Sequence, residues 1–179
     1  MAASPVIRRL LVLAPFVAAG HFAAYYSVLP LRVASHFGAN GVADGWMSRG
    51  AFGVTYVGTV VLMVVLFGGI SALVRRLPVG LINLPHREYW LAPPRREETL
   101  RRLDVDMGWM GLGTIVLLIV TFQLCLEANR NGTFRLSNAI WGVLAVYLVA
   151  MTAWLVRFVL RYSQVPGSRD GGHAGLAGQ

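Results

Sequence analysis

Charged residues and cysteine are both scarce in this chain of 179 residues. Charged residues make up 13% of the sequence, against about 25% in a typical soluble domain, and this argues against a water-soluble protein. Hydrophobic residues make up 56%, which argues against intrinsic disorder. Because Cys125 is the single cysteine, the sequence excludes an internal disulfide and a multi-cysteine metal site.

Catalytic sequence motifs are missing as well. The chain has no H-E-x-x-H, no G-x-S-x-G, no Walker loop and no C-x-x-C. Cys125 has no motif around it, and a lone buried cysteine usually acts as a small hydrophobic residue. His36 and Asp44 are chemically able to bind a metal, but two such residues are weak evidence for a site. We therefore expect neither an enzyme nor a bound cofactor.

The apolar residues that dominate the chain fall into four runs. A bilayer core about 30 Å thick needs about 20 helical residues, and each run reaches that length. The middle two runs carry no charge until their ends, whereas a surface helix of a soluble protein shows a polar stripe. The sequence therefore predicts an all-α, polytopic membrane protein with four transmembrane helices, at about residues 10–29, 52–74, 107–126 and 139–160.

The first apolar run has a second interpretation as a cleavable signal peptide. Arg8 and Arg9 precede an apolar stretch that contains small residues at 18–20, and this order is typical of such peptides. The run continues past Gly20 until it is long enough to span a bilayer. We therefore favour an uncleaved anchor.

The positive charge of the chain is distributed unevenly. All 16 basic residues are arginine, the net charge is +8, and seven of the arginines lie between residues 75 and 106. The positive-inside rule then places this segment and both termini in the cytoplasm, as expected for a bacterial inner-membrane protein. Topology and contact with anionic lipid account for the charge, so we expect the lipid bilayer and not nucleic acid as its partner.

The predicted outer loop between the first two runs carries turn signals at Asn40-Gly41 and Asp44-Gly45. They predict a compact, hairpin-like cap, with Ser48 as the N-cap of the second helix. The chemical groups of this loop form the first set of candidate ligand-binding residues: His36, Asp44, Trp46 and Arg49. The alternative is that these residues only form turns or contact lipid head groups.

Polar side chains within the apolar runs form the second set of candidates. By depth, four of them would meet between the helices below the outer loop and build a shallow, outward-facing ligand or cation site: His21, Tyr56, Gln123 and Glu127. The alternative is interhelical hydrogen bonding, worth about 0.6 kcal/mol per bond. A transport pathway is less favoured, because no run has an acidic residue at its middle and the chain shows no internal repeat.

The predicted inner loop is irregular at first and then favours a helix. Pro93 and Pro94 suit the first turn of a helix, and Glu97 with Arg101 and Glu98 with Arg102 are stabilising pairs. This helix either lies along the inner surface or continues into the third membrane helix. Its charged face is solvated or contacts a partner. The tail, residues 163–179, is rich in Gly, Ser and Ala and is predicted to be disordered.

A set of residues stands directly after the first membrane run: Leu29-Pro30, Val33, His36, Gly41, Asp44-Gly45-Trp46 and Arg49. With these residues, the outer loop resembles the bacterial domain-of-unknown-function 1648 family (DUF1648), over about residues 10–70. Arg49 stands where the family usually has a closing lysine, and Ala34 replaces a proline that is usual before the histidine. The segment from Asn83 to Leu100 resembles a longer subset of such proteins.

The resemblance also implies a function. A related domain occurs in the immunity protein against the sporulation-delaying toxin, a membrane protein that protects its producer and signals the toxin to a repressor. Likeness to that branch implies an outer loop that binds an extracytoplasmic ligand or peptide, and an inner loop that contacts a membrane or cytoplasmic protein. The exclusive use of arginine indicates a GC-rich bacterial genome, which does not point to that toxin system. We predict a binding, sensing or immunity-type accessory protein, with a small transporter or channel subunit as the alternative.

Overall fold

The computed structural model describes residues 5–166 and contains four long helices and one β-hairpin. By length and composition, all four long helices are able to cross a membrane, which confirms the predicted all-α, four-span architecture. The elements in chain order are α1 (Pro5–Tyr26), β1 (Arg32–Phe37), β2 (Ala43–Ser48), α2 (Arg49–Arg76), a 3-10 turn (Val79–Leu81), α3 (Arg87–Trp90), α4 (Pro93–Arg130) and α5 (Ala139–Ser163).

Each membrane-length helix differs from its predicted span at one end or both, and two of these differences affect the fold most. Helix α1 ends at Tyr26, because the amides of Val28 and Leu29 turn back to the carbonyl of Tyr25. Helix α4 starts at Pro93 rather than near residue 107 and has 38 residues, a length of about 57 Å. The charged inner helix and the third membrane helix are thus one rod. Beyond residue 166, the predicted tail lies outside the described residues.

Helices α1, α2 and α4 pack around a shared core, and α5 stands apart from it. Close packing relies on glycine, since a side chain at Gly53 would overlap Phe22 and one at Gly108 would overlap Ile7. Helix α5 contacts mainly α4, and its only buried residue is Tyr162. The bundle therefore consists of three tightly packed helices and one loosely attached helix.

Strands β1 and β2 form an antiparallel hairpin that contacts α2 and α4. Its turn places Gly41 at a φ of 77°, which confirms the turn at Asn40-Gly41. The prediction of a second turn at Asp44-Gly45 is wrong, because both residues belong to β2. A Cβ atom at Gly45 would lie 2.8 Å from the Cβ of His36, so the glycine here permits close strand pairing instead.

The connection between α4 and α5 adds to the hairpin. Residues 131–138 bond to it through the amide of Ala43, which donates to Phe134, and the amide of Leu136, which donates to Gly41. Ser48 caps α2 as predicted, its Oγ accepting from the amide of Ala51 at 3.2 Å. We call this end of the bundle the hairpin end, and the opposite end, which includes residues 77–106, the arginine-rich end.

Ion pairs organise the arginine-rich end. Arg75 at the end of α2 lies 2.5 Å from the carboxylate of Asp104, whose side chain is only 7% exposed. The predicted pair of Glu98 with Arg102 is present at 2.8 Å. The predicted pair of Glu97 with Arg101 is wrong: Glu97 lies 3.6 Å from Arg75, and Arg101 bonds to Glu98 instead. In the folded protein, Glu97 therefore lies near Arg75 of α2 instead of pairing with Arg101 within its own helix.

Candidate functional site: the hairpin and the polar chain beneath it

The hairpin is fixed to the bundle by the buried side chain of Asn129 on α4. Its Oδ1 accepts from the amide of Ala34 at 2.7 Å, and its Nδ2 donates to the carbonyls of Ala34 at 2.9 Å and Cys125 at 2.8 Å. Proline lacks an amide proton, so alanine rather than proline at position 34 makes the first bond available. Sequence reasoning missed Asn129, since nothing in the sequence distinguishes it from the exposed Asn131 nearby.

Arg49, one of the predicted ligand-binding residues, has a structural position. Its Nη1 donates to the carbonyls of Tyr26 at 2.7 Å and Leu29 at 3.1 Å, and its guanidinium lies 4.1 Å from the centre of the Tyr26 ring. The last carbonyls of a helix have no partner within the helix and attract cations. Arg49 therefore caps α1 and fixes the start of the hairpin.

Trp46 contributes both to packing and to the surface. Its ring centre lies 4.9 Å from that of Phe134 in the α4–α5 connection, and 41% of the residue is exposed. This contact ties β2 to the connection, while the exposed part remains available to lipid or to a ligand. A structural role and a binding role are compatible for this residue.

His36 and Asp44 face each other across the two strands. The Nδ1 atom of His36 lies 2.5 Å from Oδ1 of Asp44, and the side chains are 75% and 54% exposed. The carboxylate of Asp44 orients the imidazole of His36 through Nδ1. The Nε2 atom of His36 has no hydrogen-bond partner among residues 5–166 and is open to solvent. Asp44 also borders a shallow cavity of about 420 Å³ beside the hairpin turn. An exposed pair of this kind contributes little to stability.

Beneath the hairpin, a chain of hydrogen bonds connects α1, α2 and α4. His21 contacts Tyr56 through Nδ1 at 2.8 Å and Gln123 through Nε2 at 2.6 Å. Gln123 donates from Nε2 to the hydroxyl of Tyr25 at 2.8 Å and to Glu127 at 3.0 Å. Tyr25 in turn donates to Glu127 at 2.6 Å. The four predicted residues of the second set therefore lie in one cluster, with Tyr25 as its fifth member.

The bonds of this polar chain share one direction. The Oε1 atom of Gln123 can only accept, so Nε2 of His21 donates to it, and Nδ1 accepts from the hydroxyl of Tyr56 when the imidazole is neutral. Each donor then has an acceptor, ending at Glu127, which also lies 2.8 Å from Arg130. A chain in which every donor is bonded suits the interior of a membrane, where an unpaired polar group is costly.

The polar chain ends well short of the arginine-rich end. Below Tyr56 the core consists of apolar side chains, among them Leu11, Val60 and Ile115. Thr55 and Thr59 take no part in the polar chain, since Thr55 contacts Met47 and Thr59 bonds to the carbonyl of Thr55. Among residues 5–166, no hydrogen bond joins the polar chain to the first set of candidates on the hairpin.

Residues 10–67 match the model of a family described as a domain of unknown function, DUF1648. The match begins within α1, includes the whole hairpin and ends within α2, which confirms the resemblance found from the sequence. No curated protein and no solved structure matches the chain. The family match therefore covers the hairpin and two of the helices that hold the polar chain.

Proposed function

Since this chain carries a DUF1648 domain within a bundle of four membrane-length helices, we propose that it is a membrane-embedded binding or sensing protein. The hairpin is its recognition surface, and His36 and Asp44 are the groups that contact the ligand. The arginines at the other end favour a cytoplasmic position for that end and for both termini. The hairpin then faces the outside of a bacterial inner membrane, where a small ligand or a peptide reaches it.

The observation that carries this proposal is the contrast between His36–Asp44 and the polar residues around them. The side chains of Asn129 and Arg49 form hydrogen bonds with backbone groups of the hairpin and of α1. The pair of His36 and Asp44 is exposed, and the two side chains bond only to each other among the described residues. Because the fold gains little from such a pair, its exposed ring nitrogen and carboxylate are available to a ligand.

The hairpin is also held firmly enough to present these groups in a fixed geometry. Asn129 clasps β1 from below, Arg49 fixes its start, and the α4–α5 connection bonds to the turn and to β2. A site with preset geometry loses less conformational entropy on binding than a mobile loop does. Helix α4 carries both the clasp and two members of the polar chain, so this helix connects the hairpin to the polar chain in the bundle.

The alternative function of a transporter or channel subunit has less support. Its strongest argument was the cluster around His21 and Gln123, but each of those side chains bonds to the next one. Apolar residues fill the core from Val60 towards the arginine-rich end. The polar chain is therefore better explained as the interhelical support of the hairpin end.

The proposal is tested by chemical cross-linking in native membranes, followed by purification and quantitative mass spectrometry of the bound material. The double variant His36→Ala/Asp44→Ala is compared with the wild type at equal expression. Asn131→Ala/Asn138→Ala is the matched control, because both asparagines are exposed at the same end. We expect a species that the wild type and the control retain and the His36/Asp44 variant loses.

Stability measurements separate loss of binding from loss of fold. The free energy of unfolding of the His36→Ala/Asp44→Ala variant should lie within about 0.5 kcal/mol of the wild-type value. If all three proteins retain the same material, His36 and Asp44 have no recognition role and the hairpin is a structural cap. If the variant is strongly destabilised, His36 and Asp44 stabilise the fold, and the proposal that they are free to bind a ligand loses its support.

A further inference from the structure

A basic cleft opens between α4 and α5 at the arginine-rich end, far from the hairpin. It has a volume of about 520 Å³. Two tryptophans, Trp109 and Trp154, line its apolar side. Four arginines line the cleft against a single carboxylate: Arg101 and Arg102 of α4, Arg157 and Arg161 of α5, and Asp106. The cleft therefore carries a net positive charge and is suited to an anion.

The charge of the cleft is only partly balanced within the protein. Glu98 holds Arg101 and Arg102 at 2.7 and 2.8 Å, and Asp106 lies 3.3 Å from Arg161. Arg157 is exposed and forms no ion pair or hydrogen bond with the residues that the structure describes. Its guanidinium lies on the same face of α5 as Arg161, one helical turn away. Asp106 interacts electrostatically with Arg157, but an added anion would find at least this one guanidinium without a hydrogen-bonded partner among residues 5–166, and its planar fork fits phosphate oxygens.

An apolar groove continues from the cleft along the same two helices. It has a volume of about 800 Å³ and shares Trp109 with the cleft. Its walls include Gly113 and Gly142, which leave open the space that side chains would fill, and Val146 and Met151. The groove exists because α5 packs loosely on α4, and no residue in the most apolar stretch of α5 is buried. Its volume and apolar lining suit a hydrocarbon chain.

We propose that the cleft and groove between α4 and α5 form a binding site for an anionic phospholipid. The arginines bind the phosphate, and the groove receives an acyl chain. Tryptophan is favoured at the level of the head groups, and Arg157 lies near the end of the apolar part of α5, from where its side chain reaches that level. Basic pockets between membrane helices are a recurring form of head-group site. The lipid fills the gap that the protein leaves between its fourth helix and the other three.

The head-group part is tested by tryptophan quenching with lipids that carry bromine on their acyl chains. Purified protein in detergent is titrated with brominated phosphatidylglycerol or with brominated phosphatidylcholine. We expect tighter binding of the anionic lipid, and a loss of about five-fold in its affinity for Arg157→Gln. Arg76→Gln is the control, since Arg76 is an exposed arginine at the same end that does not line the cleft.

Three results would overturn the head-group part. Equal affinities for the two lipids would show that the phosphate charge is not recognised. Equal losses in Arg76→Gln and Arg157→Gln would indicate general attraction to the basic end rather than a site. Displacement of phosphatidylglycerol by inorganic phosphate at equal concentration would assign the cleft to a soluble phosphate compound instead of a lipid.

The acyl part is tested with Gly142→Leu, which fills the groove where the structure has no atom within 4 Å of an added Cβ. Gly58→Leu is the control, because Gly58 is equally open but lies on α2. We expect reduced quenching by both lipids in Gly142→Leu alone. Unchanged quenching would remove the groove from the proposal. A wild-type dimer that Gly142→Leu converts into a monomer would show that a second copy of the chain occupies the groove.

Discussion

The hairpin is held to the bundle by side chains that bond to backbone groups, whereas most of the ion pairs among residues 5–166 lie at the arginine-rich end. Asn129 and Arg49 bond to carbonyls and an amide of residues 26–34. At the other end, Arg75 bonds to Asp104 and Glu98 bonds to two arginines. Bonds to backbone groups fix the path of the chain, while bonds between long charged side chains tolerate small displacements.

The difference also determines how each end responds to its surroundings. The amide of Asn129 is neutral, so its bonds should be insensitive to salt. Most ion pairs of the arginine-rich end are partly exposed, and added salt weakens such pairs as the Debye length falls from about 8–10 Å at ordinary ionic strength to about 3 Å at 1 M. The bonds that hold the hairpin should therefore be little affected by salt, whereas salt should weaken the ion pairs of the arginine-rich end. Each kind of contact suits the binding that we propose for that end.

The largest expected effect is that of Asn129→Ala. It leaves the amide and the carbonyl of Ala34 without their partner in a buried position, which should destabilise the protein by about 3 kcal/mol. Thermal unfolding in detergent measures the change, and Asn131→Ala is the control because Asn131 is exposed two residues away. A loss below about 0.5 kcal/mol would mean that water replaces the clasp, and that the hairpin end is not fixed by it.

Arg75→Gln should have the second largest effect. The buried carboxylate of Asp104 would lose its ion pair, and we expect a destabilisation of about 2 kcal/mol because Arg75 itself is 30% exposed to solvent. Adding Asp104→Asn should restore part of the loss, and Arg76→Gln should change little. Repeating the unfolding in high salt sharpens the comparison: the effect of Arg75→Gln should shrink, while that of Asn129→Ala should not. Equal salt responses would contradict the distinction between the two ends.

Gly45→Ala should have the smallest effect of the three. The added methyl group would lie 2.8 Å from the Cβ of His36, so the strands must separate slightly, at a cost of about 1 kcal/mol. Gly50→Ala is the control, because nothing lies within 4 Å of a Cβ there. Nuclear magnetic resonance shifts of His36 should move in the first variant only. If they remain unchanged, the hairpin absorbs the methyl group without displacing the candidate site.

The sequence predicted the architecture because membrane spans depend on local composition. The four apolar runs, the turn at Gly41 and the cap at Ser48 all follow from residues close to one another in the chain. Even the meeting of His21 with Gln123 could be predicted, since the bilayer places polar residues of equal depth at one level. Recognition by these residues stays a prediction.

The contacts that escaped prediction connect residues distant in sequence. The clasp of Asn129 on Ala34 spans 95 positions, and no local pattern marks it. The sequence also indicated a turn at Asp44-Gly45, where the structure uses the glycine for close pairing with His36. A glycine that permits a turn and one that permits close approach have the same sequence signature, and only the fold distinguishes them.

The clasp has a consequence for the order in which the protein is made. The hairpin leaves the ribosome before α2, but the residue that fastens it to the bundle follows Ala34 by 95 positions. At synthesis rates of about 5–20 residues per second, the hairpin exists for roughly 5–20 s before Asn129 has been added. During that interval, β1 has an amide and a carbonyl that await a partner from a helix not yet inserted. Completion of the hairpin end is therefore a late event in biogenesis, although its strands are among the first parts of the chain to appear.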